Sequence, residues 1–490
     1  MPEQEEILDY KKLKFKCGLE IHQQLDADNK KLFCNCPSLL RQDKADYVIQ
    51  RRLHAVAGEE GSVDLAAQYQ SSLNKEFFYE GYNDTTCLVE LDEEPPHEIN
   101  EDALKISLQI ALLMNMKIQP ITQVMRKTVI DGSNTSGFQR TILIARDGFI
   151  ETDEGNFGIK FLYLEEDAAR PASRKEEDVE IETNARKFKL DRLGIPLVEV
   201  VTEPDIKNPK QSQKVALKIG EILRSCKVKR GIGTIRQDVS VSIRNGQRVE
   251  IKGAQDIDLL PTIVEKEVKR QQGEKNVKAE VRNALPTGET EFLRPMPGSA
   301  RMYPETDLFL LKISRDLINE VKKTLPKLRK EVEEELREKG LNHEMIKLLF
   351  KENAVEDFKE FLNILDNPQL IAKILLVLPK EIASHEKLSD EKMNEVLNKD
   401  VLSDVVLAVK KKKISENQIK EVLEKIAKGE EFEKAIKFEK VEVSNIEEKI
   451  AKIIKEKPGL SANAYMGLVM KEVKGVSGKE AMEIIGKWVK

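Results

Sequence analysis

One tryptophan, five histidines and five cysteines are spread thinly through 490 residues, and aromatic side chains make up only 5% of the chain. So few cysteines, odd in number, exclude a disulfide-stapled scaffold and fit a reducing compartment. No stretch approaches the roughly 18 consecutive apolar residues that a membrane-crossing helix needs, so no membrane association is expected. The opening Met-Pro-Glu-Gln-Glu-Glu has no apolar core of the secretory-leader kind, and a cytoplasmic location is expected. A dominant charge sign is missing too: 81 basic and 86 acidic residues leave a formal charge of −5. Any contact with nucleic acid must come from a local patch rather than from the global field. Neither a Walker A phosphate loop nor the protein-kinase signature set occurs, so a nucleotide would need a different scaffold.

What remains is a globular balance, 40% hydrophobic and 34% charged, in a chain too long for one core. Strand-like alternation dominates to about residue 312. Helical periodicity rich in Lys and Glu follows, with a break near 428–445. The reading is α+β for 1–312, an all-α domain over 313–430 and a small helical tail over 431–490.

The chain is organised around Ile195–Val201, a β-branched and aliphatic run bounded by Gly194 and Glu203-Pro204-Asp205. It reads as a buried strand. Glu199 stands in its middle with only apolar neighbours in sequence, which is unfavourable unless the carboxylate is paired, protonated or metal-bound. In the alternating run 14–25, Glu20 and His22 project from one face, a spacing that suits two ligands on one cation. A second alternating run places Thr234, Arg236, Asp238, Ser240 and Ser242 on one face. Asn245-Gly246 turns it back into Arg248–Lys252; a three-residue loop, with Ser242 opposite Glu250 and Ser240 opposite Lys252, would keep the polar faces together.

Other segments are less specific. Glu165-Glu166-Asp167 closes a strand beginning near 158. Asp131–Gly137, small and hydroxyl-rich, can cradle a phosphate through backbone N–H groups or simply form a flexible turn. Cys34-Asn-Cys36 is half of a zinc site, but no Cys-x-x-Cys follows and nothing in the spacing of His54 or Cys87 demands their help, so ordinary thiols are expected. Residues 42–79 read as mixed loop and helix, 172–187 as a surface loop, and 273–283 as a thin connector. Asn100 caps a helix through Met116 whose Leu104, Leu108, Ala111 and Leu112 form a core stripe.

Glu20, His22, Glu166 or a neighbour, Glu199 and Asp238 together offer oxygen ligands and one imidazole, a set suited to one or two ions of the magnesium or manganese kind. Arg140, Arg236 and Lys252 add positive charge. Carboxylates around such an ion with Arg and Lys in reach describe phosphoryl transfer, and hence a metal-dependent, ATP-using enzyme.

Six segments, Gly18-Leu-Glu-Ile-His22, Leu164-Glu-Glu-Asp-Ala168, Gly194-Ile-Pro-Leu-Val-Glu-Val-Val-Thr-Glu-Pro-Asp205, Ile235-Arg-Gln-Asp-Val-Ser-Val-Ser242, Val249-Glu-Ile-Lys252 and Ala300-Arg-Met-Tyr-Pro-Glu-Thr-Asp307, carry a resemblance. In order, they resemble the tRNA-dependent amidotransferase B/E family. Asp131–Thr141 and Cys87–His97 are similar to its archaeal branch. The resemblance implies a glutamine-synthetase-like cradle fold followed by helical and tail domains. It implies phosphorylation of the γ-carboxylate of glutamate misacylated on tRNA(Gln), with ATP as substrate and Mg2+ (Mn2+ possible) as cofactor, then amidation by ammonia. It assigns Glu20, His22, Glu166, Glu199 and Asp238 to the metal; Glu20, Glu166, Glu199 and Lys252 to catalysis; and Ser133, Thr135, Gln139, Arg140 and Arg236 to ATP and substrate. It further implies an asparaginase-like amidase partner that supplies the ammonia, in a heterotetramer with two copies of each chain, and tRNA contact through the tail about 446–490 with Tyr465 and Trp488. Two departures stand out. The segment 273–283 leaves no room for the inserted domain usual in the archaeal branch. The Cys-x-x-Cys that completes a zinc site in bacterial relatives is absent, so no zinc is expected. The competing reading is a non-catalytic tRNA-binding scaffold whose acids are structural.

Overall fold

The computed structural model describes residues 8–57, 61–172, 185–274, 276–298, 301–352, 354–437, 443–472 and 478–488. The chain divides into two compact units between Glu331 and Val332.

The first unit is built on an eleven-stranded sheet. Its central strands are β1 (Lys16–Gln24), β2 (Val124–Thr128), β3 (Phe138–Thr152), β4 (Gly155–Glu166), β5 (Pro196–Thr202), β6 (Ile235–Ser242) and β7 (Val249–Lys252). They lie in the order β7-β6-β1-β5-β4-β3-β2, each antiparallel to its neighbours. Glu280–Ala284 extends the sheet beyond β7, in parallel, and Met302–Pro304 closes the other edge against β2. The expected connector at 273–283 is therefore partly a strand. Its short, weakly patterned sequence gains order from pairing with β7, which no local signal reveals.

Alternation along these strands sorts residues onto two faces. Leu19, Ile21, Val198, Val200, Val239 and Val241 are buried on one. Helices α1 (Glu101–Leu113), α2 (Pro209–Ser225) and α3 (Leu260–Gly273) cover that face. Asn100 caps α1 by accepting from the Ala103 N–H, and Asn208 followed by Pro209 starts α2. Leu104, Leu108 and Ala111 of α1 are buried as the stripe requires, with Leu112 half-buried. The helix Arg315–Lys323 packs against α1, so the first unit runs past the change of pattern at 313.

The β6–β7 hairpin differs from the expected register. Ser240 faces Glu250, not Lys252, and the connection is longer than three residues. The Arg244 N–H donates to the Leu13 carbonyl, drawing the turn away from a tight hairpin. The polar faces still coincide, because the shift is an even number of residues. Tyr47–Arg51, Glu76–Gly81, Ala185–Lys189 and Arg170–Pro171 form a separate four-stranded sheet over Phe77, Tyr79, Phe188 and Leu190. Strand pairing thus replaces the loops expected within 42–79 and at 185–187.

The second unit is helical. One core gathers Phe358, Phe361, Ile371, Val405, Val422 and Leu423; another gathers Ile450, Tyr465, Val469 and Ile485. Among the described residues, no helix is long and apolar enough to cross a membrane.

Candidate active site

Register alone assembles the polar residues of the sheet face opposite α1, α2 and α3. Glu20 pairs with Asp238 on one side and Val201 on the other; His22 pairs with Arg236 and Glu199. Side chains directly opposite across antiparallel strands share a face, so β5, β1 and β6 present Glu199, His22, Glu20, Arg236 and Asp238 together. His22 Nε2 lies 3.5 Å from both Glu20 Oε1 and Glu199 Oε2. On this face, among the described residues, two groups could hold a metal ion: Glu20, His22 and Asp238, and His22, Glu165 and Glu199. Hard oxygens plus one imidazole fit a magnesium- or manganese-type ion.

Four more strands complete the face, β4 with Glu165 among them. β7 brings Lys252, whose Nζ lies 2.8 Å from Asp238 Oδ2 and 3.2 Å from Glu250 Oε1. β2 brings Lys127, whose Nζ is 2.5 Å from Glu165 Oε1 and 3.1 Å from Glu199 Oε2. β3 brings Gln139 and Thr141, which donate to the two oxygens of Glu165.

Burial and charge set the carboxylates apart. Burial, with the Glu199 charge adding to it, pushes the Glu20 carboxyl up to about 7. Burial acts the same way on Glu199, but Lys127 and His22 more than offset it and hold that carboxyl well below the usual range. Burial lowers and the carboxylates raise the His22 imidazole; the carboxylates prevail, Glu199 foremost.

The expected site residues divide into groups. Glu20, His22, Glu199, Asp238 and Lys252 come together, with Arg236 beside them. Gln139 reaches the face by way of Glu165. Glu166 does not join them. It follows Glu165 on β4 and therefore points to the opposite side, where Arg140 N–H and Nη1 donate to its carboxylate. Arg140 shares that side, with Nε 2.9 Å from buried Glu305, which Arg126 also meets. Of the acids at 165–167, Glu165 is the one whose carboxylate lies beside His22 and Glu199. Ser133 and Thr135 are not brought to the face either. The Ser133 N–H and hydroxyl donate to Asp131, and the Thr135 hydroxyl donates to the Glu90 carbonyl. Gly132, at φ +95°, lies against Phe77 and Phe188 where a Cβ would collide, so the loop is packed rather than open. Arg236 and Gln24 both donate to buried Asp167, with Arg192 3.8 Å away.

Two residues lie outside the expected set. Lys127 sits in the alternating run Val124–Thr128, but its partners are on distant strands. Glu90 completes a second cluster in which one ligand atom each from Cys34, Cys36, Cys87 and Glu90 lies within 4.8 Å of the others. Cys34 Sγ donates to Glu90 Oε1 at 2.8 Å and the Cys87 N–H to Oε2 at 2.8 Å. The Cys34 and Cys36 thiols directed at Cys87 push its own thiol far below the ordinary value. Three sulfurs and a carboxylate are a four-ligand set for zinc. The expectation of no zinc rested on the missing Cys-x-x-Cys; the fold brings Cys87 and Glu90 beside Cys34 and Cys36, four groups that could together hold a metal ion. His54 is exposed and is not part of the cluster.

A family model described as the GatB/GatE catalytic domain matches residues 15–319. The chain belongs to this family. The E-type chain of glutamyl-tRNA(Gln) amidotransferase from Methanocaldococcus jannaschii is 55% identical over 276 residues, covering 56% of this chain and 42% of that protein. Its namesake in Methanococcus maripaludis strain C6 is 53% identical over 279 residues, 56% of this chain and 43% of its own length. These alignments span less than half of either relative. The namesake in Methanosarcina barkeri is 34% identical over 640 aligned positions reaching 98% of both chains. That alignment is longer than the 490 residues here, so this member of the family lacks segments that its relative carries. The matched region contains every donor of the polar face.

Proposed function

We propose that the chain is the ATP-dependent component of a glutamyl-tRNA(Gln) amidotransferase, turning glutamate esterified to tRNA(Gln) into glutamine. The observation that carries this reading is the convergence of Glu20, His22, Glu199 and Asp238 on the sheet face opposite α1, α2 and α3, in a chain of this family. A carboxylate resists attack by ammonia until one oxygen becomes a good leaving group. Transfer of the γ-phosphoryl group of ATP to the glutamate γ-carboxylate, with release of ADP, makes an acyl phosphate. Ammonia then attacks the acyl carbon, orthophosphate departs, and the amide forms as the nitrogen loses a proton.

Glu20, His22, Glu199 and Asp238 would hold Mg2+ or Mn2+, which neutralises phosphate charge when bound. Lys252, part-exposed beside Asp238, is placed to meet a phosphate oxygen, and Arg236 offers a guanidinium next to His22. Lys127 fixes Glu199. The fold in this reading is the glutamine-synthetase-like cradle, followed by helical and tail domains. Ammonia comes from an asparaginase-like amidase partner, in a heterotetramer with two copies of each chain, since this chain has no recognisable amidase signature. Tail contact with tRNA falls to exposed Trp488 and the lysines; Tyr465 is buried, its hydroxyl donating to the Lys457 carbonyl.

The test is ATP hydrolysis by the chain with its ammonia-supplying partner, Glu-tRNA(Gln) and Mg2+. Glu199→Gln should lower turnover by about 100-fold or more while tRNA affinity stays within about twofold. A scaffold would give no tRNA-dependent ATP turnover in the wild-type protein.

A further inference from the structure

The two donor sets on the polar face overlap at His22, and its single inward ring nitrogen can bind only one ion. Each set also has a lysine on it. Lys252 lies on Asp238, and Lys127 lies on Glu165 and Glu199. The two lysines differ in freedom. The Lys252 side chain is 33% exposed and can swing into solvent, whereas that of Lys127 is 9% exposed and enclosed.

The carboxylates differ in the same way. Glu165 has no exposed surface, and Lys127, Thr141 and Gln139 already donate to its two oxygens. Three of roughly four lone-pair directions of a carboxylate are then taken. Glu20 is the opposite case: the His22 ring lies 3.5 Å from its carboxylate and an Asp238 oxygen within 4.8 Å, with the Lys252 charge farther off.

Resting on the reading of this face as a divalent-cation site, we propose that Lys127 is a built-in monovalent cation filling the Glu165–Glu199 set, a positioning residue that leaves one divalent ion to Glu20, His22 and Asp238. Glu199 keeps its second oxygen for that ion. Removing the ammonium would leave two buried carboxylates with only the His22 ring to balance their charge, an unfavourable arrangement that a second divalent ion can relieve.

Mn2+ tests this in the full chain, because it favours oxygen donors over the thiolates of the cysteine cluster. Binding stoichiometry, electron paramagnetic resonance and thermal melting would be compared for the wild-type protein, Lys127→Met and Lys127→Arg. Wild type and Lys127→Arg should each bind one Mn2+ on this face with an uncoupled signal. Lys127→Met should melt lower without metal, bind two Mn2+ with a spin-coupled signal, and recover most of the lost melting temperature when Mn2+ is added. A single ion and no metal-dependent recovery in Lys127→Met would overturn the proposal, as would a coupled pair in the wild type. If Lys127→Met fails to fold with or without Mn2+, the wild-type signal decides: one uncoupled ion supports, a coupled pair refutes. No Mn2+ binding by wild type on this face would instead overturn its reading as a cation site.

Discussion

Asp167 is fully buried and still charged. Burial alone would raise its carboxyl, but the Arg236 and Arg192 guanidiniums, helped by the Gln24 amide, hold it below the ordinary aspartate value. A lower value in the folded state means that the folded chain binds fewer protons there. The group therefore stabilises the fold at neutral pH, and this contribution is lost as pH falls through the ordinary value of about 4 toward the folded one. Asp167→Asn should melt several degrees below wild type at pH 7, and the gap should shrink as the pH drops below about 4. Melting curves across that range check it; a gap that stays constant would mean that the charge is not the cause. Much at this scale was legible in the sequence. Glu199 stood out as the lone acid of a wholly apolar strand, and Glu20, His22 and Asp238 each stood on an alternating run whose other face was apolar, so their side was fixed locally. Lys127 and the choice of Glu165 over Glu166 were not, because both depend on β2, β3 and β4 lying next to β5, a non-local fact. Chain order gives Glu165 and Glu166 equal claims; one residue of strand pleat separates them.

Among the elements, α1 shows how a short capping signal anchors a long surface. Asn100 accepts from Ala103, and its amide donates to the Ala27 and Lys31 carbonyls, fastening the helix to the loop after β1. Asn100→Ala should destabilise the first unit by about 1–2 kcal/mol, read as a lower denaturation midpoint with an unchanged slope. Leu108→Ala, at a position with no exposed surface, should do so by about 3 kcal/mol. The cysteine cluster joins two further segments, 34–36 and 87–90. The purified protein should carry about one zinc ion per chain, measured by elemental analysis, and Cys87→Ser should lose it and melt lower. Absence of zinc, with unchanged melting of Cys87→Ser, would return these residues to ordinary thiols. Helices were easier to foresee than the short strands. A capped 3.6-residue stripe is a local signal, whereas Glu280–Ala284 and Ala185–Lys189 are ordered by the parallel partners they meet.

At the scale of the whole molecule, the change to helical sequence at 313 was visible. The end of the first unit, at Glu331, was not, because Arg315–Lys323 packs back onto α1. A fragment of residues 1–331 should unfold in one cooperative transition and bind Mn2+ as tightly as the full chain, since every donor of the polar face lies within it. Circular dichroism melts and Mn2+ titration of the fragment decide this; a non-cooperative melt would show that the second unit is needed for the first to fold.

The two-sided sheet has a genetic corollary. β1 carries the apolar residues that face the helices and the donors that face outward at alternate positions, so deleting one codon within 18–22 would turn Leu19 and Ile21 outward and drive Glu20 and His22 against the helices. Point substitutions there can spare either the fold or the chemistry. A single-residue deletion can spare neither, and the same frame of two binds β5 through Glu199 and β6 through Asp238.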